Sequence, residues 1–282
     1  MRLVLLLALL ASAGGCASTP LFRDCSTCPI MRVIPAGEVE VGRLRAEADD
    51  EEYPGPIHAV SVAAFAAAKY EVSVGEFARF VADTGYTASA GCNVYGEELS
   101  WYVDFARNWR MPGYEQSRDE PVVCVSWNDA QEYAAWLGAQ TGLRFRLLSE
   151  AEWEYLARLG GLSASHGQAN VGLPQCCGGA VEDADRWMYT APVGSFGADA
   201  FGLFDVRGNV WEWQQDCYHF NYQGAPSTGA PRITDCSNPE RRAVRGGSWG
   251  DGGDFLDPSF RLRAPADQGY FTLGFRLARD LR

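Results

Sequence analysis

The sequence predicts a single α+β domain with little regular secondary structure, in which three helices and many short strands are joined by long loops. Three observations carry this expectation. Serine-led capping boxes open three amphipathic stretches, at Ser73, Ser126 and Ser149. Short apolar or alternating runs recur at both ends of the chain and read as brief strands. After Gly160 long stretches rich in Gly, Asn and Asp take over, and loops beyond about 12–15 residues are uncommon in compact domains unless they serve function.

Composition agrees and excludes several classes. The 282 residues are 47% apolar and 21% charged, as in a folded globular protein rather than a disordered or fibrous one. Thirty-six acids against 24 basic residues leave a net charge of −12, which argues against nucleic-acid binding by phosphate neutralisation. Lys69 is the only lysine, so no P-loop lysine exists.

The elements follow in order. Arg2, the apolar run 3–13 and the small residues Gly14 and Gly15 read as an export signal over residues 1–15. Residues Ala13-Gly14-Gly15-Cys16 resemble a lipobox, which makes Cys16 the expected lipidation site and a lipid anchor the expected membrane contact. Export places the other eight cysteines in an oxidising compartment, where disulfides are favoured, but 105 pairings leave connectivity open. Cys25 and Cys28 read as a structural disulfide or, less simply, a redox or metal pair. Residues 16–30 read as a tether and 31–282 as the domain. Within it, the runs at 33–41, 57–61 and 68–72 suggest strands, and 47–52 is an acidic loop. The three helices carry Val74, Phe77, Ala78 and Val81, then Ala130, Tyr133, Ala134 and Leu137, then Trp153, Leu156 and Ala157. They stop at Gly85, near Gly142 and at Gly160-Gly161. Brief strands are expected at 208–213 and 273–277.

Six segments, in order, carry a resemblance. They are Ile34-Pro35-Ala36-Gly37, the run Pro121 to Ala130, Arg146-Leu147-Leu148-Ser149-Glu150-Ala151-Glu152-Trp153-Glu154-Tyr155, Gly208-Asn209-Val210-Trp211-Glu212-Trp213, Arg245-Gly246-Gly247-Ser248-Trp249, and Gly274-Phe275-Arg276-Leu277-Ala278. Together they resemble the sulfatase-modifying-factor family, the formylglycine-generating-enzyme fold. The resemblance implies one domain of that type, a C-type-lectin variant stabilised by disulfides and calcium. It implies a first calcium site from Asp205, the carbonyls of Gly208 and Val210, and Glu212. A second would use Asn170 and Asp185 with the carbonyls of Val171 and Trp187. The plainer alternative for Glu212 is a carboxylate hydrogen-bonded to loop amides.

The family's chemistry uses two cysteines three and eight positions after the serine of Arg-Gly-Gly-Ser. Here those positions hold Asp251 and Leu256, and no cysteine follows Cys236. Without thiolates there is no soft pair for copper(I), so no copper and no formylglycine by that route are expected. The three histidines, His58, His166 and His219, form no H-x-x-x-H or H-E-x-x-H pattern, and no G-x-S-x-G elbow supports a serine triad.

Two function classes follow. One is a binding or regulatory module of the bacterial envelope, on the periplasmic or surface side of the outer membrane, with an envelope protein or small ligand as partner. The other is a periplasmic oxidoreductase resembling the family's pyoverdine-maturation enzyme, using the same cleft without cysteines and marked by a cleft acid of raised pKa. The candidate ligand-binding residues lie between 249 and 263: Trp249, Asp251, Asp254, Phe255, Phe260, Arg261 and Arg263. The competing expectation is that Arg261 and Arg263 merely pair with Asp251 and Asp254 across the loop.

Overall fold

The computed structural model describes residues 20–43, 55–96, 100–161, 168–172, 186–236 and 240–281. The signal, Cys16, the acidic run 47–52, His166, Cys176, Cys177 and Asp185 lie outside the described residues.

Serine oxygens start all three helices, α1 (Val74–Thr84), α2 (Trp127–Thr141) and α3 (Glu150–Leu159). Ser73, Ser126 and Ser149 each accept the N–H of the third helical residue. The carboxylates of Glu76, Asp129 and Glu152 return the bond to the cap backbone. Gly85 and Gly142 end α1 and α2 at φ 68°, the left-handed conformation that glycine adopts without a Cβ clash. At α3 that turn comes one residue later, at Gly161 with φ 73°, because Gly160 stays right-handed. The apolar face of α1 includes Phe80 as well as Phe77, and both rings pack against Tyr133 of α2.

The strands are short and their order is not sequential. They are β1 (Leu21–Phe22), β2 (Met31–Ile34), β3 (Gly37–Val41), β4 (His58–Val62), β5 (Phe65–Ala68), β6 (Cys92–Tyr95), β7 (Trp101–Asp104), β8 (Phe145–Leu147), β9 (Trp211–Cys217), β10 (Arg241–Arg245), β11 (Leu262–Pro265), β12 (Leu273–Gly274) and β13 (Leu277–Asp280). One sheet runs β1-β2-β5-β13-β8 and a second β11-β10-β9-β12, while β3-β4 and β6-β7 form separate hairpins. The main core lies between the first sheet, α1, α2 and the inner face of the second, around Phe77, Tyr133, Trp213 and Phe275. A second cluster joins the β3–β4 hairpin to α3 through Val41, Val60, Trp153 and Leu156.

Four sequence expectations are corrected. The strand expected at 68–72 lies earlier, at Phe65–Ala68, where it pairs with β2 and β13. Residues 20–30 are not a tether: β1 pairs with β2, Cys28 is fully buried, and Asp24 meets Arg279 at 2.9 Å. The strand expected at 208–213 begins only at Trp211, because Gly208 and Asn209 take φ of 86° and 61°. The strand expected at 273–277 is two strands, broken at Phe275 and Arg276, where the guanidinium turns inward to Glu212. The Cys25–Cys28 disulfide is present, with Cys92–Cys124 and Cys217–Cys236.

Charge holds the long loops where strands do not. Arg245 of β10 is fully buried and donates to Glu150 Oε1 and Glu154 Oε2 of α3, both at 3.0 Å. Its remaining N–H groups reach the carbonyls of Pro258 and Phe260 and the Tyr222 hydroxyl. Arg261 donates from Nε to Glu150 Oε1 at 2.8 Å and from Nη2 to Oε2, and its Nη1 bonds the His219 carbonyl. Glu150 therefore carries two guanidinium groups on one carboxylate. Beside it, burial and the Glu150 charge push the Asp216 carboxyl up to about 7.

Glu150→Ala would strand the buried Arg261 guanidinium and leave Arg245 with Glu154 as its one carboxylate, and breaking such a pair costs ~3–5 kcal/mol. Urea unfolding is expected to show a loss of that size. A loss below about 1 kcal/mol, the usual effect of a surface change, would mean the network holds nothing.

Candidate functional site

The loop between Ser248 and Arg263 is built from the inside. Asp251 is almost fully buried, and its Oδ2 accepts the Trp211 indole N–H at 2.8 Å, the Ser248 backbone N–H at 3.1 Å and the Ser248 hydroxyl. Burial pushes its carboxyl above the usual range, while the Ser248 and Trp211 donors pull it back. The Asp251 carbonyl accepts the Gly172 N–H at 2.7 Å, and a Cβ at Gly172 would lie 2.7 Å from the Gly250 backbone. Leu256, the other position matched to a family cysteine, packs on Ala169 and Val171.

This layout overturns the expected pairing across the loop for Arg261 and Asp251. Arg261 goes to Glu150 because that carboxylate is desolvated with it, and Asp251 is satisfied by neutral donors. Buried Asp251, Phe260 and Arg261 are thus supports, not surfaces a ligand can touch. Trp249 is also buried, its ring centroid 5.0 Å from Tyr189 and 5.4 Å from Phe271. Phe255 is half-buried against Phe260, and Asp254 is exposed on the 3-10 turn Gly253–Leu256. Arg263 is exposed, its guanidinium 5.0 Å from the Tyr218 ring.

Of those seven residues, only Arg263 lines the adjoining groove. This groove, of ≈ 330 Å³, is walled by Trp101, Trp211, Tyr270, Thr272 and Leu273 with Arg263 at its side. Trp101 reaches it from β7, its ring 5.5 Å from Tyr270. Aromatic walls and one forked cation suit a flat or apolar group bearing an anion. The sequence reading missed Trp101, Tyr270 and Thr272, which come from segments far apart in the chain. The exposed aromatic run Trp101-Tyr102 was the available signal. Trp211 links the two layers: its ring lines the groove and its N–H holds Asp251.

Behind the groove lies a second polar centre. Glu71, Asp205 and Glu212 are buried together, and burial raises the pKa of each. Their charges also raise one another: Asp205 and Glu212 act on Glu71, and Asp205 on Glu212. Arg276 is the guanidinium among them, with Nε 2.8 Å and Nη2 2.7 Å from Glu212 Oε1. Glu212 therefore bonds a guanidinium, not the loop amides of the simpler expectation. Its Oε2 has no hydrogen bond of acceptable geometry, although the neighbouring Trp153 indole lowers its pKa slightly. Asp205 Oδ2 accepts the Gly194 N–H at 2.7 Å. Glu71, Asp205 and Glu212 offer carboxylate oxygens of the kind a hard divalent cation takes at the first expected site, with Arg276 compensating part of their charge.

Asn170 supports the second. Its Nδ2 donates to the Tyr189 carbonyl and to Asn209 Oδ1, whereas its buried Oδ1 is left without a partner. Asp185, the carboxylate expected to join it, lies outside the described residues. Gly208 lets these loops meet, since a Cβ there would sit 2.6 Å from the Asn170 carbonyl oxygen. Among the described residues the one His/Cys/Asp/Glu group whose ligand atoms all lie within 4.8 Å of one another is Cys217, Cys236 and Glu240, whose sulfurs form a disulfide; Glu71, Asp205 and Glu212 are not drawn together that tightly.

Comparison with known proteins places this geometry. Residues 18–281 match the sulfatase-modifying factor enzyme 1-like domain. A formylglycine-generating enzyme of Thermomonospora curvata is 33% identical over 258 residues, spanning 78% of this chain and 82% of that one. An inactive C-alpha-formylglycine-generating enzyme 2 of Bos taurus is 29% identical over 87% of this chain and 86% of its own. Among solved structures, PvdO from Pseudomonas aeruginosa is similar at TM-score 0.77 and 36% identity, covering 94% of this chain and 99% of that one.

Trp211→Phe keeps the ring in the groove but deletes the donor to Asp251. Leaving a buried acceptor one bond short costs ~1–3 kcal/mol, so the denaturation midpoint should fall accordingly. An unchanged midpoint would show that Ser248 alone satisfies Asp251.

Proposed function

This chain belongs to the sulfatase-modifying factor family, and we propose that it is a calcium-stabilised binding or regulatory module of the bacterial envelope, exported and lipid-anchored at Cys16. In this reading it does not generate formylglycine by the copper–cysteine route. The observation that carries it is Asp251: where the family's first cysteine would stand, a buried carboxylate is tied to Trp211 and Ser248. All six described cysteines are paired in disulfides, which supplies no thiolate to that centre. The aromatic groove beside it keeps the shape of a ligand site, with Arg263 to hold an anionic group.

A second reading, a periplasmic oxidoreductase using this groove without cysteines, draws on two observations. One is the full-length similarity to PvdO. The other is Asp251 itself, an acid of raised pKa one hydrogen bond behind the groove wall.

Calcium would sit against Asp205 and Glu212, and at a second position against Asn170, where it neutralises carboxylates that otherwise repel. Glu212 and Arg276 orient that cluster whether or not the ion is bound.

Two measurements test these statements. Purified protein given copper and a cysteine-bearing sulfatase peptide is expected to form no aldehyde and to consume no oxygen. Aldehyde would overturn the cysteine argument, and oxygen uptake with a different small substrate would favour the oxidoreductase. Removal of calcium by chelator should lower the Tm, because an ion at 100 times its Kd stabilises by about 2.7 kcal/mol and each kcal/mol is roughly 2–4 °C for domains of this size. Asn170→Ala should reduce that sensitivity. A wild-type Tm indifferent to chelator would remove calcium from the account.

A further inference from the structure

The N-terminal segment carries a charged groove that the functional site does not use. It has a volume of ≈ 350 Å³ and lies between three separate stretches: the Cys25–Cys28 loop, the first turns of α1, and the segment before Pro121. Each contributes one arginine, Arg23, Arg79 and Arg118, and all three are exposed. Two of them have side-chain partners: Arg23 donates to the Cys28 carbonyl, and Arg118 Nη2 to the Gly75 carbonyl at 3.5 Å. Two acids face the same space, Glu76 and Asp119. Glu76 is already committed, since its Oε2 accepts the Ser73 N–H and hydroxyl at 2.9 and 3.1 Å. Lys69 lies 4.9 Å over the ring of Tyr70, another wall residue. Three guanidiniums of a chain of net charge −12 thus meet at this groove.

That place is next to the expected anchor. Cys16 precedes Arg23 by seven residues, and a fully extended chain spans at most ~3.6 Å per residue, or ~25 Å. The strand pairing of Leu21 and Phe22 with β2 fixes where this segment leaves the domain. Overall, an acidic protein is repelled by an anionic bilayer, so the face that can approach is the one carrying the arginines.

We propose that the Arg23–Arg79–Arg118 groove binds the phosphate of lipid headgroups in the membrane that holds the Cys16 anchor, and so orients the domain on that surface. This rests on the anchor reading given above. Guanidinium forks match phosphate oxygens two at a time, which suits arginine here better than lysine. Held so, the domain has a defined side toward the bilayer instead of swinging on its lipid.

The test uses the non-acylated chain from residue 17, which retains every described element and the whole matched segment 18–281. It should co-sediment with vesicles of phosphatidylglycerol and phosphatidylcholine, not with phosphatidylcholine alone, and should be released by about 0.5 M salt as screening shortens. Arg23→Gln with Arg79→Gln and Arg118→Gln should weaken that binding at least ~10-fold, at unchanged Tm. Equal binding by the triple variant, or equal binding to both vesicle types, would overturn the proposal. Binding of inorganic phosphate, read by calorimetry and lost in the triple variant, without vesicle binding would assign the groove to free phosphate and also overturn it. The anchor is read separately, by palmitate-analogue labelling of the wild-type chain against Cys16→Ser. Absent labelling with intact vesicle binding removes the anchor and keeps the groove; the reverse pattern removes the groove alone.

Discussion

Two guanidiniums and two carboxylates, buried together at the start of α3, are the constraint on which the second half of the chain depends. Arg245 and Arg261 share Glu150, and Arg245 also takes Glu154 and the carbonyls of Pro258 and Phe260. Between β10 and β11 the chain has few ladder hydrogen bonds to place it, so a charge network supplies the missing directionality. The desolvation cost of such a network is repaid only when its groups are satisfied. That explains why Glu150 occupies the first turn of α3, where the positive helix end adds to the two arginines. Burial and the Glu150 charge push the carboxyl of neighbouring Asp216 up to about 7, since a third charged carboxylate would unbalance the set.

The same economy shapes the functional centre. The loop that in relatives would carry chemistry is pinned by Asp251 and Trp211 on one side and by Arg261 on the other. Its buried residues act as scaffold, and the surface available to a ligand is supplied by other segments, notably Trp101 and Tyr270. Trp211 connects scaffold to surface, its ring lining the groove and its N–H donating to Asp251. The Arg276 cluster lies behind this layer and joins β9, the turn after β12 and the Asp205 loop through a single side chain.

The N-terminal segment belongs to this architecture as well. A short disulfide loop, one strand pair and the Asp24–Arg279 contact bring it onto the first sheet. A lipid at Cys16 would therefore be separated from the domain by only a few residues, and the domain's orientation would be set by what its nearest face carries.

Local chemistry was legible in the sequence. Each helix start was readable, because a capping box is complete within four residues and involves no distant partner. The family could be seen in six ordered segments, and the absence of any cysteine after Cys236 in a simple count. The Arg261–Glu150 pairing and the groove were not legible, for one physical reason. Arg261 chooses Glu150 over Asp251 because of shared burial, and burial is a property of the packed chain 111 residues apart, not of spacing along it. Likewise Trp101 and Tyr270 become one wall only when the β6–β7 hairpin docks against residues 269–271. Sequence alone determined which groups were present and where helices begin; tertiary structure decided which charges meet, and therefore which side chains remain free to meet a ligand.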